Sequence, residues 1–152
     1  MRTRTERDEG NAVIEFVFVA LLVLIPLVYL IVAVAVLQRS RLATTDAARD
    51  VGRAIATSDR IADAPARAQA ALRIALANQG LRPADVQLRL VAAGADCQAG
   101  PSQPPTLDPG AEFQVCVIRH QPLPAVPTVL SGRGVTTIGR FVVHVDEYRA
   151  SR

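Results

Sequence analysis

The chain has 152 residues, half of them hydrophobic, and a net charge of +3 in which every basic residue is an arginine. With no tryptophan, two tyrosines and arginines spread singly, it lacks the basic stripe interleaved with aromatics that nucleic acids call for. The 115 residues beyond position 37 suffice for one small domain with its own core, and are too few for two.

Residues 1–10 form a short polar leader of alternating sign. From Phe16 to Leu37 there follow 22 residues without a charge, interrupted only by Pro26 and Tyr29 among the aliphatics. As a helix this run is roughly 33 Å long, enough to cross a hydrocarbon core of about 30 Å. Pro26 is expected to kink it. Glu15 stands at its edge in "RDEGNAVIEF", and an ionisable group at that depth points to function. The plainer alternative is a carboxylate at headgroup level that favours the helix start through the macrodipole. Ala33-Val34-Ala35 has the small-x-small form of a secretory cleavage site, but the run exceeds the roughly 7–15 residues of a signal core. An uncleaved span is therefore the favoured reading of residues 11–37.

Arginines flank the span almost evenly, Arg2, Arg4 and Arg7 before it and Arg39, Arg41, Arg49 and Arg53 after it. Charge alone thus does not orient it. Cys97 and Cys116 do: a pair in a small domain reads as one disulfide outside the cytoplasm, closing a 20-residue loop. Such a closure contributes about 3 kcal/mol in the chain-entropy account. The expected topology is a cytoplasmic N-terminus and an extracytoplasmic domain over 38–152. Two free thiols in a cytoplasmic domain are the alternative.

The apolar helix continues without a breaker into "QRSRLATTDAARDVGRAIATSDR", which predicts one helix from about residue 12 to 57. Leu42, Ala43, Ala47, Val51, Ala54 and Ile55 fall near one face, and Asp46–Arg49 and Asp50–Arg53 are spaced as weak supporting pairs. Pro65 suits the first turn of a second helix and Gly80 its C-terminal cap, with Ala68, Ala71, Leu72, Ala75 and Leu76 as its apolar stripe. "DVQLRLVA" alternates with Val86, Leu88 and Leu90 inward and Gln87 and Arg89 outward. "EFQVCVIRH" alternates through Phe113, Val115 and Val117, and the last such stretch through Phe141, Val143 and Val145. Proline-rich connections separate these strands, over 98–111 and again over 121–134. The fold class is α+β: a long N-terminal helix, a shorter second helix and a three-stranded antiparallel sheet.

No nucleophile–base pair or metal cluster is evident. His120 and His144 are isolated, and Cys116 and His120 stand about 13 Å apart in an extended strand, which prevents convergence on one zinc ion. "GRGVTTIG" fits neither a dinucleotide fingerprint nor a P-loop, and reads as a turn. The expected protein is not an enzyme, and needs neither cofactor, metal nor small-molecule substrate.

Gly10, followed by Glu15-Phe16 and a long apolar helix, resembles the processing site of type IV pilin-like proteins. "DAARDVGRA", Asp46 to Ala54, resembles the Ala-Ala-Arg-x-x-x-Arg segment of TadE-like minor pseudopilins of the tight-adherence (Tad) pilus. The likeness covers about residues 7–57. It implies cleavage after Gly10 by a prepilin peptidase, Asn11 as the mature N-terminus, and Glu15 with Phe16 as the assembly motif. In a helix the new amine and Glu15 lie four residues apart on one face, a partner for a poorly hydrated acid. The implied partners are the membrane, other pilin and pseudopilin subunits and the Tad secretion platform. The implied location is the plasma (inner) membrane, with entry into the pilus as a further expectation. The alternative is an uncleaved, single-pass anchored binding module in the cell envelope.

Overall fold

The computed structural model describes the backbone of residues 6–122 and 134–148, and side chains from residue 13 onward within these ranges. The first helix, α1, runs Glu6–Ala56 and passes through Pro26. It starts earlier than the expected position 12, because nothing in residues 6–11 breaks a helix. A second helix, α2, spans Ala64–Asn78 after a 3₁₀ turn at Ile61–Asp63. Three strands follow: β1 (Val86–Ala92), β2 (Glu112–Gln121) and β3 (Val135–His144). They form one antiparallel sheet in the order β1-β2-β3, so the α+β layout read from the sequence is the observed one. The proline-rich connection after β2 lies at 123–133 outside the described residues, as do residues 1–5.

The chain divides into two compact units, Met1–Val36 and Leu37–Arg152. In the first, every described position from Val13 to Val36 is solvent-exposed or nearly so, despite being almost wholly apolar. The helix is long and apolar enough to cross a membrane.

In the second unit, the stripe Ala43, Ala47, Ala48, Val51 and Ile55 of α1 is fully buried against the sheet. Leu42, expected on this stripe, is 65% exposed. One residue is a 100° step on a helix, and the buried face is centred on the Ala43–Ala47–Val51–Ile55 row. From α2, Ala64, Ala68, Leu72, Ala75 and Leu76 enter the same core, meeting Phe113, Val115, Val117, Val143 and Val145.

Two glycines let α1 and β3 come close. A Cβ on Gly139 would stand 2.0 Å from the backbone oxygen of Thr44, and one on Gly52 would stand 2.5 Å from the Phe141 ring. "GRGVTTIG" was expected as a turn; Gly139 instead lies inside β3, where only a missing side chain admits the helix backbone. Ser40 Oγ and Thr137 Oγ1 bond at 2.9 Å at one end of this contact, and Gly52 meets Val143 at the other. Twelve helical residues rise roughly 18 Å and six strand residues roughly 20 Å, so α1 and β3 run side by side in the same direction.

The end of α2 closes as the sequence foretold. Gly80 takes a positive φ of 69°, Gly80 N–H donates to Ala77 O and Leu81 N–H to Leu76 O. This is a Schellman cap, which returns Leu81 to the core.

Candidate functional site

The residues singled out in the sequence fall into three places. Gly10, Asn11, Glu15 and Phe16 occupy two successive turns of α1, in the first compact unit. Asn11 and Glu15 are i and i+4, hence on one helical face. Glu15 is exposed, and Phe16 is 74% exposed beside it. Nothing within the protein neutralises this carboxylate among the described residues. It therefore needs water, a headgroup or another subunit.

The "DAARDVGRA" segment lies in the second unit and is split between two roles. Ala47, Ala48, Val51 and Gly52 are buried towards the sheet, while Asp46, Arg49, Asp50 and Arg53 point outward. With Ala75 and Asn78 of α2 and its C-cap Gln79, these four charges line an open cleft of about 340 Å³. The expected pairs Asp46–Arg49 and Asp50–Arg53 do not form; none of the four belongs to an ion pair among the described residues. The reason is energetic: such a surface pair gains only a few tenths of a kcal/mol, which the cost of ordering two side chains cancels.

The third place is the sheet face turned away from the helices. Cys97 and Cys116 are joined in a disulfide, both fully buried. With both sulfurs bridged they offer no thiolate to a metal. His120 Nδ1 instead meets Thr136 Oγ1 at 2.8 Å, and His144 Nδ1 meets Glu112 Oε1 at 2.7 Å. Around the disulfide, Val91, Ile118, Ala95 and Ile138 form a small separate apolar cluster.

Arg89, read as an outward solvated residue, is half-buried here and holds the loop over 93–111. Its Nη1 donates to Cys97 O at 2.8 Å and Gln98 O at 2.5 Å, and its Nη2 to Gly100 O at 2.7 Å. Gln114 Nε2 adds a bond to Ala95 O at 3.2 Å. Asp96 Oδ1 accepts the N–H groups of Gln98 and Ala99, both at 2.7 Å, and these bonds hold its carboxyl below the usual carboxylate range. Alternation correctly put Arg89 on the face away from the helices, but periodicity carries no information about a loop folding back over that face.

A second polar group missed in the sequence gathers where the domain begins. Arg119 Nη1 donates to Ser40 Oγ at 3.0 Å and to Gln121 Oε1 at 2.5 Å, while its Nε is buried without a partner among the described residues. Ser40 and Arg119 are 79 residues apart in sequence, so no local pattern links them.

None of these places assembles a nucleophile with a base, and no cluster of three or more potential metal ligands occurs among the described residues. They present an apolar helix bearing Glu15, a charged cleft, and a sheet whose far face is covered by a tethered loop. Comparison with protein-family models, with curated proteins and with solved structures finds no match.

Proposed function

We propose that this chain is a TadE-like minor pseudopilin, a non-enzymatic subunit that primes or assembles a Tad-type pilus. The observation that carries the reading is Gly10 followed by Glu15-Phe16 at the head of an exposed apolar helix long enough to span a bilayer. A prepilin peptidase cuts after Gly10 and frees the amine of Asn11. That amine lies on the helical face of Glu15, and the two charges compensate each other within one chain or between staggered neighbours.

The mechanism is helix packing. In lipid there is little hydrophobic drive between helices, so small residues and polar contacts direct association. Ala20, Ala33 and Ala35 permit close approach, Glu15 sets axial register, and the α+β domain stays outside the membrane. Other pilin-type subunits and the secretion platform of the inner membrane are the partners.

The deciding experiment is the intact mass and N-terminal sequence of the protein from its native membranes. A chain beginning at Asn11 is expected. Gly10→Leu is expected to block processing, whereas Glu15→Leu is processed but leaves cells without pili. A chain beginning at Met1, together with normal piliation in both variants, would sink the proposal and favour an anchored envelope-binding module.

A further inference from the structure

The folded domain is electrically polar along the sheet. At the end of the sheet where Val86, Arg119 and Thr137 sit in register, Arg119 bonds Ser40, whose chain neighbours are Arg39 and Arg41, and Arg82 stands four residues before Val86. Arg39 Nη2 reaches Gln79 O at 3.4 Å, which places the start of the domain beside the end of α2, three residues before Arg82. Asp85, bonded to Arg82 at 3.1 Å, is the acid of this edge, and it lies close enough to Arg119 to feel its charge. Arg39 and Arg41 are exposed, and neither belongs to an ion pair among the described residues. Arg119 spends Nη1 on Ser40 and Gln121, and its Nη2 has no hydrogen-bond partner among the described residues.

The opposite edge is acidic. Asp59, Asp63, Asp108, Glu112, Asp146 and Glu147 cluster where α1 ends and where Glu112 pairs with His144 across β2 and β3. Arg60 and Arg67 answer two of them, Asp63 and Asp59. From Thr137 to His144 the strand covers about 23 Å. That is well beyond a Debye length of about 8 Å at physiological salt, so the acidic edge does not cancel attraction at the basic one.

Continuity of the chain says what meets the basic edge. Val36 ends the first unit, and Arg39 follows three residues later. If the apolar run crosses a bilayer, the headgroup region begins at these arginines. We propose that Arg39, Arg41 and Arg119 form a docking surface for the anionic headgroups of that bilayer. Guanidinium groups suit the task, because their planar fork bonds phosphate oxygens in pairs. Arg119 gives the surface a fixed point, since Ser40 and Gln121 hold it in place, while Arg39 and Arg41 supply free charge. The surface would hold the resting subunit against anionic lipid, a role beyond the assembly reading but resting on the same bilayer span.

The test uses the full chain in nanodiscs of phosphatidylcholine alone, or with phosphatidylglycerol added. Hydrogen exchange is followed at 79–86 and 117–122. Phosphatidylglycerol is expected to slow exchange at this edge by about fivefold for each arginine engaged, with loss of the effect in high salt. Exchange at the acidic edge, 108–112, should not change. R39Q/R41Q, two exposed positions that leave the core intact, should remove most of the slowing, and R119Q the remainder. Equal exchange in the two lipids, or a full lipid effect in R39Q/R41Q, would overturn the proposal. So would slowing by inorganic phosphate in phosphatidylcholine discs, which would mean a phosphate site rather than a surface. A chain that fails to enter discs of either composition would refute the span itself, and the docking surface with it.

Discussion

The two faces of the sheet are covered by opposite means. The face towards α1 and α2 is closed by regular helices bearing small residues: Ala43, Ala47, Ala48, Val51 and Gly52 on one, Ala64, Ala68 and Ala75 on the other. Contact there is close, continuous and apolar. The far face is closed by the irregular stretch 93–103 around a small apolar cluster of the described residues Val91, Cys97, Cys116 and Ile118, whereas Leu107 and Ala111 further along pack on the helix side. Burial that small cannot order a loop of this length, since each residue fixed costs about 1–2 kcal/mol of backbone entropy. The loop is instead tied down, by a disulfide, by Arg89 on three carbonyls, by Asp96 on two amides and by Gln103 N–H on the outer edge of β1 at 2.9 Å. Shape complementarity serves one face, and point attachments serve the other.

This contrast is open to test by unfolding the full chain in detergent micelles. The largest effect is expected from Gly139→Leu. Its Cβ would meet the backbone of Thr44, which cannot rotate away, so a loss of about 3 kcal/mol or more should appear in denaturant titration. Gly52→Val tests the same interface where the neighbours are side chains of Phe141 and Val143 that can shift. A smaller loss there would locate the rigidity in the backbone contact. On the other face, Cys97→Ser/Cys116→Ser should cost about 3 kcal/mol. It should also free the loop to proteolysis while leaving the helix–sheet contacts protected from exchange.

Arg89→Met keeps the aliphatic stem and removes the bonds to the carbonyls of Cys97, Gln98 and Gly100, for an expected loss of about 1–2 kcal/mol. Combined with the cysteine double variant the losses should fall short of additive, since both ties order one loop. Additivity would show that the two act on separate segments. The smallest effect concerns acid. The Asp96 carboxyl is held below its ordinary value by the amides of Ala99 and Gln98. Its stabilisation is therefore present above the unfolded-state value, near pH 4, and fades as the pH falls through the lower folded value. Asp96→Asn should flatten that limb of the stability profile, whereas an unchanged limb would remove Asp96 from the tether.

The same contrast explains what could be read in advance. Helical and strand periodicity exposed both helices, all three strands and the cap at Gly80, because each is encoded within a few neighbouring residues. The cysteine pair announced one tie on the far face. Three features were not legible. Gly139 read as part of a turn, since its purpose depends on Thr44, 95 residues earlier. Arg89 read as solvated, because the loop that covers it has no periodic pattern. Leu42 reads as core from spacing alone, because it stands one 100° step from the buried row. Of the proposed functional residues, Gly10, Glu15 and the arginines of "DAARDVGRA" were visible as motifs, whereas Arg119 joined Ser40 only through the fold.

The parallel run of α1 beside β3 has a mechanical consequence. A pull on residues 40–52 of α1 along their own axis would load Ser40–Thr137, Thr44–Gly139 and Gly52–Val143 all at once, in shear, instead of opening them in turn like a zipper. The notch at Gly139 blocks sliding by a fraction of a turn, because any displacement drives a helix carbonyl or side chain into the strand backbone. A domain mounted this way transmits axial tension as a unit. The geometry is that of a splined shaft, in which the coupling fails only when every tooth yields together.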